Sequence, residues 1–288
     1  MLKYNLALGL WEIGGYPFFN NIKEDKSVSL IRHAIRKGVK YFDTAPVYGF
    51  GKSEKILGKA IVNNREDIII STKCGLRWKK EKLTSIYKDS SKKSILEEID
   101  LSLKRLNTDY IDIYYIHWPD IKTSFQETSE ALNILIKKHK IKSIGLSNFK
   151  ISQIKEFSKY LDFNYLQAEL NILDTKNLDI VNKFISKDKY FFAYSPIARG
   201  LLTDNYEKIL LSNEPAIKRK IKKLNLENHT NIIQKLKILS QKYDLNIAQL
   251  AIKYLLQKKN IIPIIGTTNK KHLDEMINIQ QKNINELN

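Results

Sequence analysis

The chain has 288 residues, of which 43% are hydrophobic and 10% aromatic, proportions that exclude a disordered chain and allow one large domain with a sizeable core. The net charge of +18 and the pI near 9.6 would suit a nucleic-acid or membrane-surface partner only if the basic residues formed one face. Lysine pairs instead recur along the whole chain, so we expect solvated basic faces and no nucleic-acid partner.

Short apolar segments alternate with amphipathic segments along the chain. The predicted strands are residues 6–10, 40–43, 68–73, 111–116, 142–146, 165–170, 190–194 and 261–265. The predicted helices are residues 28–37, 53–62, 92–106, 125–138, 152–160, 178–186, 231–243, 247–257 and 270–279. Strand and helix alternate eight times, and the strands are typical of a parallel sheet buried on both faces. We therefore predict a single-domain α/β protein, a (β/α)8 TIM barrel over residues 1–288.

Two connections lack a helical period. Residues 75–90 are predicted to be a surface loop, a kind of segment that usually carries substrate contacts after a barrel strand. Residues 195–229 form a charged connection that is longer than is usual in a compact domain, so we expect it to have a functional role.

Four polar residues stand at or just after the ends of predicted strands. Asp43 closes the second strand and Tyr48 follows it, while Lys73 and His117 close the third and fourth strands. The carboxyl ends of barrel strands meet at one mouth, so these side chains should converge there. Each residue alone also has an ordinary structural interpretation, as a loop cap, a packed tyrosine, a solvent-facing lysine or a structural histidine. Their combination on successive strands favours catalysis.

The motifs that carry these residues are Asp43-Thr44-Ala45-x-x-Tyr48-Gly49, Ser53-Glu54, Thr72-Lys73 and Ile116-His117-Trp118-Pro119. In order and spacing they resemble the aldo-keto reductases, from residue 6 to about residue 276, and residues 47–51 are similar to the bacterial general-stress type. The resemblance implies an NAD(P)H-dependent oxidoreductase that reduces aldehydes or ketones, with Tyr48 as general acid.

The implied chemistry gives the other three residues a role. Carbonyl reduction needs a hydride and a proton for the developing oxyanion, but the ordinary pKa of tyrosine is about 10. A nearby Lys73 ammonium is expected to lower the pKa of Tyr48. Asp43 would keep Lys73 protonated, and His117 would donate a hydrogen bond to the carbonyl oxygen.

The chain has no convincing glycine-rich dinucleotide fingerprint, so the resemblance implies a coenzyme that lies extended across the barrel mouth. The implied coenzyme contacts are Gly9, Leu10 and Trp11 after the first strand; Ser147, Asn148 and Gln167 at the carboxamide; Tyr194 on the nicotinamide ring; Ser195, Pro196, Gly200 and Leu201 over the pyrophosphate; and Gly266, Thr267, Thr268, Lys270, His272 and Glu275 at the adenosine end. The implied substrate contacts are Trp11, Trp78 and Trp118.

The adenosine end departs from the family pattern. Thr268 stands where many relatives carry an arginine that binds the 2′-phosphate of NADP, and Lys270 is the expected substitute, a point charge without the arginine fork. The sequence therefore predicts NADP(H) ahead of NAD(H).

Other features narrow the function further. Cys74 is the single cysteine, so no internal disulfide can form, and no apolar run reaches the length of a membrane span. The first fifteen residues lack a signal-peptide layout, so we expect a cytoplasmic protein without a membrane partner. The histidines are scattered in sequence, and Cys74 has no partner at ligand spacing, so no metal site is predicted.

Two other functions fit the same motifs. A sugar or alcohol dehydrogenase, linked to NAD, would run the same chemistry backwards. A regulatory or sensor subunit of the same fold would bind the coenzyme and turn over slowly, as in the channel-associated branch of the family.

Overall fold

Ten strands are present in the computed structural model, which describes residues 5–17, 19–211, 213, 218, 221–222, 224, 229–279, 282 and 284–287. They are β1 (Ala7–Gly9), β2 (Tyr41–Asp43), β3 (Ile69–Cys74), β4 (Leu76–Trp78), β5 (Ile86–Lys88), β6 (Ile111–Ile116), β7 (Ile141–Ser147), β8 (Tyr165–Glu169), β9 (Tyr190–Tyr194) and β10 (Ile261–Gly266). Strands β1, β2, β3, β6, β7, β8, β9 and β10 pair in parallel in that order, and β10 returns to β1. The predicted (β/α)8 barrel is confirmed.

Helices follow the barrel strands and cover the outside of the barrel. They are α1 (Glu24–Arg36), α2 (Lys52–Ile61), α3 (Lys92–Leu106), α4 (Phe125–Lys137), α5 (Ile151–Phe157), α6 (Leu178–Phe184), α7 (Tyr206–Leu210), α8 (Thr230–Tyr243), α9 (Ile247–Leu256) and α10 (Lys270–Asn278). Ser91 and Ser124 cap α3 and α4, since each hydroxyl accepts a hydrogen bond from a first-turn amide. Helix α1 begins four residues before the predicted start, and its first turn carries Glu24 and Asp25, which suit the positive end of the helix dipole.

The alternation of side chains along each strand decides what fills the barrel. Ile113 and Tyr115 of β6 lie in the interior cluster with Tyr41 and Phe192, while Tyr114 packs outward under the helices. Tyr41 faces inward from β2, so Asp43, two residues later, faces inward as well. The sequence therefore places an aromatic layer low in the barrel and polar groups above it.

Residues 75–90 lie at the surface, as predicted, but the prediction that they form an irregular loop was wrong. It contains a two-stranded antiparallel hairpin in which β4 pairs with β5, with Leu76 opposite Lys88 and Trp78 opposite Ile86. Each of its strands has only three residues, too few to show a period in the sequence. The hairpin follows β3 directly and lies at the barrel mouth.

The connection at residues 195–229 is only partly described. It contains a short 3-10 turn at Ala198–Gly200 and then α7. Residues 212, 214–217, 219–220, 223 and 225–228 of this predicted connection lie outside the described residues. Ser195, Ala198 and Arg199 have positive φ angles of 53°, 48° and 58°, so the turn leaves β9 through left-handed backbone.

Candidate active site

Asp43 is the centre of a buried polar network at the carboxyl end of β2. One carboxylate oxygen accepts a hydrogen bond from Lys73 Nζ at 2.8 Å. The other accepts from Ser71 Oγ and from Gln167 Nε2, each at 2.8 Å. Since β2, β3 and β8 all supply inward-facing residues at this level, the network follows from the alternation of the strands.

Lys73 is held inside the barrel mouth with 1% of its surface exposed. Its ammonium donates to Asp43 and, at 2.7 Å, to the carbonyl oxygen of Thr44. Burial lowers the pKa of Lys73, and the charges of Asp43 and Glu54 oppose that shift. The Lys73 ammonium is therefore oriented by two hydrogen-bond acceptors and has almost no contact with water.

Tyr48 stands beside that lysine at the barrel mouth. Lys73 Nζ lies 5.0 Å from the centre of the Tyr48 ring, and the Tyr48 and His117 rings meet edge to face with centroids 5.9 Å apart. The four side chains that were predicted to converge are therefore neighbours, since Asp43 is bonded to Lys73 and the other two lie beside it.

The expected direction of the Tyr48 pKa shift was wrong. Burial, with a smaller effect from the Asp43 carboxylate, raises the pKa of Tyr48 well above its ordinary value. The loss of water around the phenol and the negative charge of Asp43 both oppose ionisation of Tyr48. Tyr48 is therefore held as a neutral phenol that carries its proton.

The turn that carries Tyr48 is packed directly against the loop after β1. Gly49 has a φ of 61°, and a Cβ atom there would lie 2.0 Å from the carbonyl oxygen of Gly14. A Cβ atom at Gly14 would in turn lie 2.7 Å from the carbonyl carbon of Tyr48. Gly14 and Gly49 thus allow a backbone contact that fixes the position of Tyr48 relative to the end of β1.

His117 closes the site on the side of β6. Burial lowers the pKa of His117 well below its ordinary value, and the neighbouring Lys73 charge acts in the same direction. The imidazole is therefore neutral. A neutral ring carries one N–H, which is available to donate to a substrate oxygen.

The residues expected at the nicotinamide end lie next to this group. Asn148 donates to Ser147 Oγ and to the carbonyl oxygen of His117, each at 3.0 Å. The Tyr194 hydroxyl donates to Asn148 Oδ1 at 2.8 Å, so its position is fixed from one end. Gln167 points its amide nitrogen at Asp43, a contact that the sequence did not predict.

The residues expected to contact the coenzyme after the first strand and over the pyrophosphate lie at or after the ends of β1 and β9. Gly9 ends β1, and Leu10, which is fully buried, accepts a hydrogen bond from Ser53 Oγ at 2.8 Å. The Trp11 ring packs edge to face on Phe19, with centroids 4.9 Å apart. Ser195, Pro196, Gly200 and Leu201 lie in and around the turn after β9.

The residues expected at the adenosine end lie around the start of α10. Gly266 ends β10, and Thr267 Oγ1 accepts from the amide of Asn269, the N-cap of α10. Lys270 Nζ donates to Ser29 Oγ at 2.8 Å. A cleft of about 630 Å³ separates the starts of α1 and α10, and Thr268 and Lys270 line it together with Lys23, Lys26 and Ser29.

Two further residues expected at the adenosine end, His272 and Glu275, lie further along α10 and do not line this cleft. His272 is exposed on α10. Glu275 accepts a hydrogen bond from Asn246 Nδ2 at 3.4 Å, and its carbonyl oxygen accepts from Gln249, so it also joins α10 to α9.

Two of the three tryptophans expected to contact substrate belong to separate segments of the mouth. Trp78 packs against Phe50, with ring centroids 5.5 Å apart. Trp118 is 39% exposed, and Lys88 Nζ lies 5.5 Å from the centre of its ring. Trp78 therefore packs beside the turn that carries Tyr48, since Phe50 follows Tyr48 by two residues.

Comparison with known proteins identifies the family to which the chain belongs. The sequence model for the aldo/keto reductase family matches residues 5–287. The chain belongs to the aldo/keto reductase family. The family that the motifs indicated is thereby confirmed, over nearly the whole chain.

Two characterised relatives and one solved structure are similar to this aldo/keto reductase. It is 33% identical over 264 residues to the aldo-keto reductase YhdN of Bacillus subtilis, covering 88% of this chain and 77% of that protein. It is 32% identical over 295 residues to the NADH-specific methylglyoxal reductase of Escherichia coli, covering 97% and 90%. The structure of a glycerol dehydrogenase from Gluconobacter oxydans superposes with a TM-score of 0.84 at 29% identity, covering 98% and 88%.

Several residues of this aldo/keto reductase site were not found by sequence reasoning. Ser71 and Thr44 hold Asp43 and Lys73, and Arg199 contacts Trp11. Ser71 had a usable signal, since it stands two residues before Lys73 and therefore on the same face of β3. Arg199 lies between Pro196 and Gly200, two of the expected pyrophosphate contacts, but its contact with Trp11 joins distant segments and has no local signal.

Two findings concern other classes of site. In the described part of the chain, no group of three His, Cys, Asp or Glu side chains stands close enough to hold a metal ion. Among the helices that the structure describes, none is both long and apolar enough to cross a membrane.

Proposed function

We propose that this aldo/keto reductase uses NAD(P)H to reduce aldehydes or ketones to alcohols, with Tyr48 as the proton donor. The observation that carries the proposal is the buried Lys73–Asp43 ion pair, whose ammonium lies 5.0 Å from the centre of the Tyr48 ring. A buried ion pair is seldom retained for stability alone, since apolar residues of the same volume often stabilise a fold as well or better.

The chain's own residues account for the proton. The nicotinamide coenzyme supplies a hydride to the carbonyl carbon when it is bound. The carbonyl oxygen then gains negative charge, and Tyr48 transfers its phenolic proton to that oxygen. An alkoxide is a stronger base than a phenolate, and this difference favours the transfer. The Lys73 ammonium stabilises the phenolate that remains until solvent returns a proton.

His117 and Asp43 act through hydrogen bonds and charge. The neutral His117 ring donates its N–H to the substrate oxygen and so directs the carbonyl toward Tyr48. Asp43 accepts three hydrogen bonds and fixes the direction of Lys73. The site therefore needs no change of shape to stabilise the charge that develops.

The residues present fit a nicotinamide coenzyme. Tyr194 is partly exposed at the mouth and its hydroxyl donates to Asn148, and an aromatic ring is the kind of side chain that stacks on a nicotinamide. The backbone at Gly266 is exposed, and a Cβ atom there would approach only the carboxylate of Glu12, at 3.0 Å. Gly9, Leu10, Trp11 and the turn with Ser195, Pro196, Gly200 and Leu201 would hold the pyrophosphate.

We assign the adenosine end to Lys270 and the cleft beside it. Lys23 and Lys26 of the α1 side line the same cleft, so three ammonium groups can face a 2′-phosphate. This supports NADPH ahead of NADH. The similarity to an NADH-specific reductase makes NADH the alternative result of the same experiment.

The test is a titration of intrinsic tryptophan fluorescence with NADPH and NADH separately. Trp11 should be quenched when the coenzyme binds, because its ring lies at the end of β1 beside the path proposed for the pyrophosphate. Saturable quenching by one coenzyme, followed by its oxidation in the presence of small aldehydes or ketones, is the expected result. Binding without turnover of any carbonyl would favour the regulatory-subunit function, and no binding of either coenzyme would contradict the proposal.

The reverse direction is a second candidate, supported by the likeness to a glycerol dehydrogenase. The same four residues would then remove the hydroxyl proton of an alcohol through a Tyr48 phenolate. Faster oxidation of polyols with NAD(P)⁺ than reduction of the matching carbonyls near neutral pH would favour this direction.

A further inference from the structure

The hairpin β4–β5 connects the catalytic strand to the proposed substrate side of the mouth. It begins three residues after Lys73, and its Trp78 packs against Phe50, which follows Tyr48 by two residues. At the other strand, Lys88 Nζ donates to the carbonyl oxygen of Pro119 at 3.0 Å. The position of this hairpin therefore decides how closely the walls of the substrate space approach Tyr48.

Glu98 holds the base of this hairpin from behind. It lies on α3 with 4% of its surface exposed, and Glu98 Oε2 accepts a hydrogen bond from the amide of Gly75 at 2.9 Å. Glu98 Oε1 lies 3.7 Å from Arg77 Nε of β4. One carboxyl group thus contacts both the residue that joins β3 to the hairpin and a residue within it.

The contact between Glu98 and Arg77 is incomplete. At 3.7 Å it is an ion pair beyond hydrogen-bond distance. Among the described residues, neither the buried Glu98 Oε1 nor the buried Arg77 Nη1 has a hydrogen-bond partner. Buried polar atoms of this kind are costly unless paired. A shift of the hairpin by less than one ångström would bring Glu98 Oε1 within hydrogen-bond distance of Arg77 Nε. Packing alone gives no reason to keep a carboxyl group here.

We propose that Glu98 is a positioning residue whose contact with Arg77 latches the β4–β5 hairpin against α3 and sets the width of the substrate space. This inference rests on the proposed carbonyl reduction. The latch acts through Trp78 and Phe50 and touches neither the coenzyme nor the Tyr48 hydroxyl. Its closing should therefore change substrate affinity rather than the chemical step.

The state of the carboxyl group makes the latch depend on pH. Burial raises the pKa of Glu98 to about 8, while the Gly75 amide and the Arg77 charge oppose the shift. The other titratable groups that face it are Cys74 of β3, Tyr114 of β6, Glu54 of α2 and Asp89 before α3. Arg77 has a second acidic neighbour on α3, since its Nη2 lies 3.6 Å from Oε2 of the half-exposed Glu97. Below that pH the carboxyl is neutral and its contact with Arg77 stays at the present distance. Above it, the carboxylate draws Arg77 into a hydrogen-bonded ion pair that closes the hairpin, although the ionisation of this buried group costs stability of the whole fold.

The experiment compares two full-length proteins, the unaltered chain and the Glu98→Gln variant. Each is measured at about pH 7 and about pH 9, on either side of the titration of Glu98. The glutamine keeps an oxygen for the Gly75 amide but cannot gain charge. For the unaltered chain, we expect the KM for the carbonyl substrate to fall about fivefold from the lower to the higher pH. Glu98→Gln should keep the same KM at both, with an unchanged coenzyme Kd.

A second readout does not require turnover. Trypsin sites at Lys79, Lys80 and Lys82 lie on the exposed tip of the hairpin. Cleavage there should slow at the higher pH in the unaltered chain and not in Glu98→Gln. Asp100→Asn, which changes an exposed carboxylate on the same helix, is the matched control at each pH.

Arg77 provides the other half of the test in case Glu98→Gln fails to fold. Arg77→Gln should abolish the pH effect, Arg77→Lys should restore part of it, and Glu98→Gln with Arg77→Gln should be no worse than either change alone. Equal pH effects on KM and cleavage in Glu98→Gln and the unaltered chain would overturn the latch, as would additive losses in the double variant. If no carbonyl is reduced, the proposed function fails, and the cleavage rates still decide the latch.

Discussion

The guanidinium carbon of Arg199 lies 5.0 Å from the centre of the Trp11 ring, so a residue that follows β9 contacts a residue that follows β1. These two strands flank β10 in the barrel. The contact therefore spans the carboxyl end of β10, which is where the proposed path of the coenzyme pyrophosphate crosses from the nicotinamide to the adenosine.

Arg199→Ala should weaken coenzyme binding about fivefold to tenfold, because it removes both a cation near two phosphates and a contact with Trp11. The Kd from fluorescence titration measures this, and the loss should shrink as salt is raised. Lys183→Ala, which removes an exposed charge on α6, is the control. Unchanged affinity in Arg199→Ala would exclude this residue from the coenzyme path.

Tyr48→Phe should reduce kcat by about 10²-fold to 10⁴-fold, the usual contribution of a positioned acid, with little change in coenzyme affinity. The ring, its contact with His117 and the packing of the turn all remain in this variant. Steady-state rates with saturating coenzyme make the measurement. If turnover survives, another group donates the proton.

Asp43→Asn should both impair turnover and destabilise the fold by roughly 3 kcal/mol, since it leaves the buried Lys73 charge without its counter-ion. Urea unfolding followed by circular dichroism measures the difference. Asp100→Asn removes one partner of an exposed pair with Lys140 and should cost only a few tenths of a kcal/mol. Similar losses in the two variants would mean that the Asp43 pair contributes no more than a surface pair.

Lys270→Ala should weaken NADPH binding more than NADH binding, because only NADPH carries the 2′-phosphate. The alanine also removes the hydrogen bond to Ser29, so Ser29→Ala serves as the matched control for structural loss. Separate titrations with each coenzyme give the two affinities. An equal loss for both coenzymes would assign the 2′-phosphate contact elsewhere.

The free energy of unfolding should depend on pH through Glu98 and His117 in opposite directions. The pKa of Glu98 rises from 4.5 to about 8 on folding, so the carboxyl's contribution is complete below pH 4.5 and is lost as the pH rises to about 8. The size is on the order of a few kcal/mol. The pKa of His117 falls on folding, so stability is lost as the pH drops below 6.5.

Glu98→Gln separates the two effects. Its unfolding midpoint in urea should not decline between about pH 5 and about pH 8, whereas that of the unaltered chain should. A parallel decline in both proteins would place the titrating group elsewhere.

The sequence predicted the barrel, its strand ends and the convergence of Asp43, Lys73 and His117, because strand alternation and buried apolar runs are local signals. It did not predict the raised pKa of Tyr48, which depends on how the barrel excludes water. It also missed the hairpin, because the pairing of Trp78 with Ile86 joins segments whose own patterns are weak. Long-range contacts such as Arg199 with Trp11 leave no periodic trace in the chain.

The close contact between Gly14 and Gly49 has a consequence for how this scaffold can be altered. Tyr48, the proposed proton donor, is anchored to the loop after β1 by backbone atoms, at positions where no side chain fits. The hairpin and the segment around Trp118 reach the mouth by side chains instead. A library that varies these two segments and keeps both glycines should therefore diversify substrate choice. Every member should retain Tyr48 at the same position relative to the barrel strands.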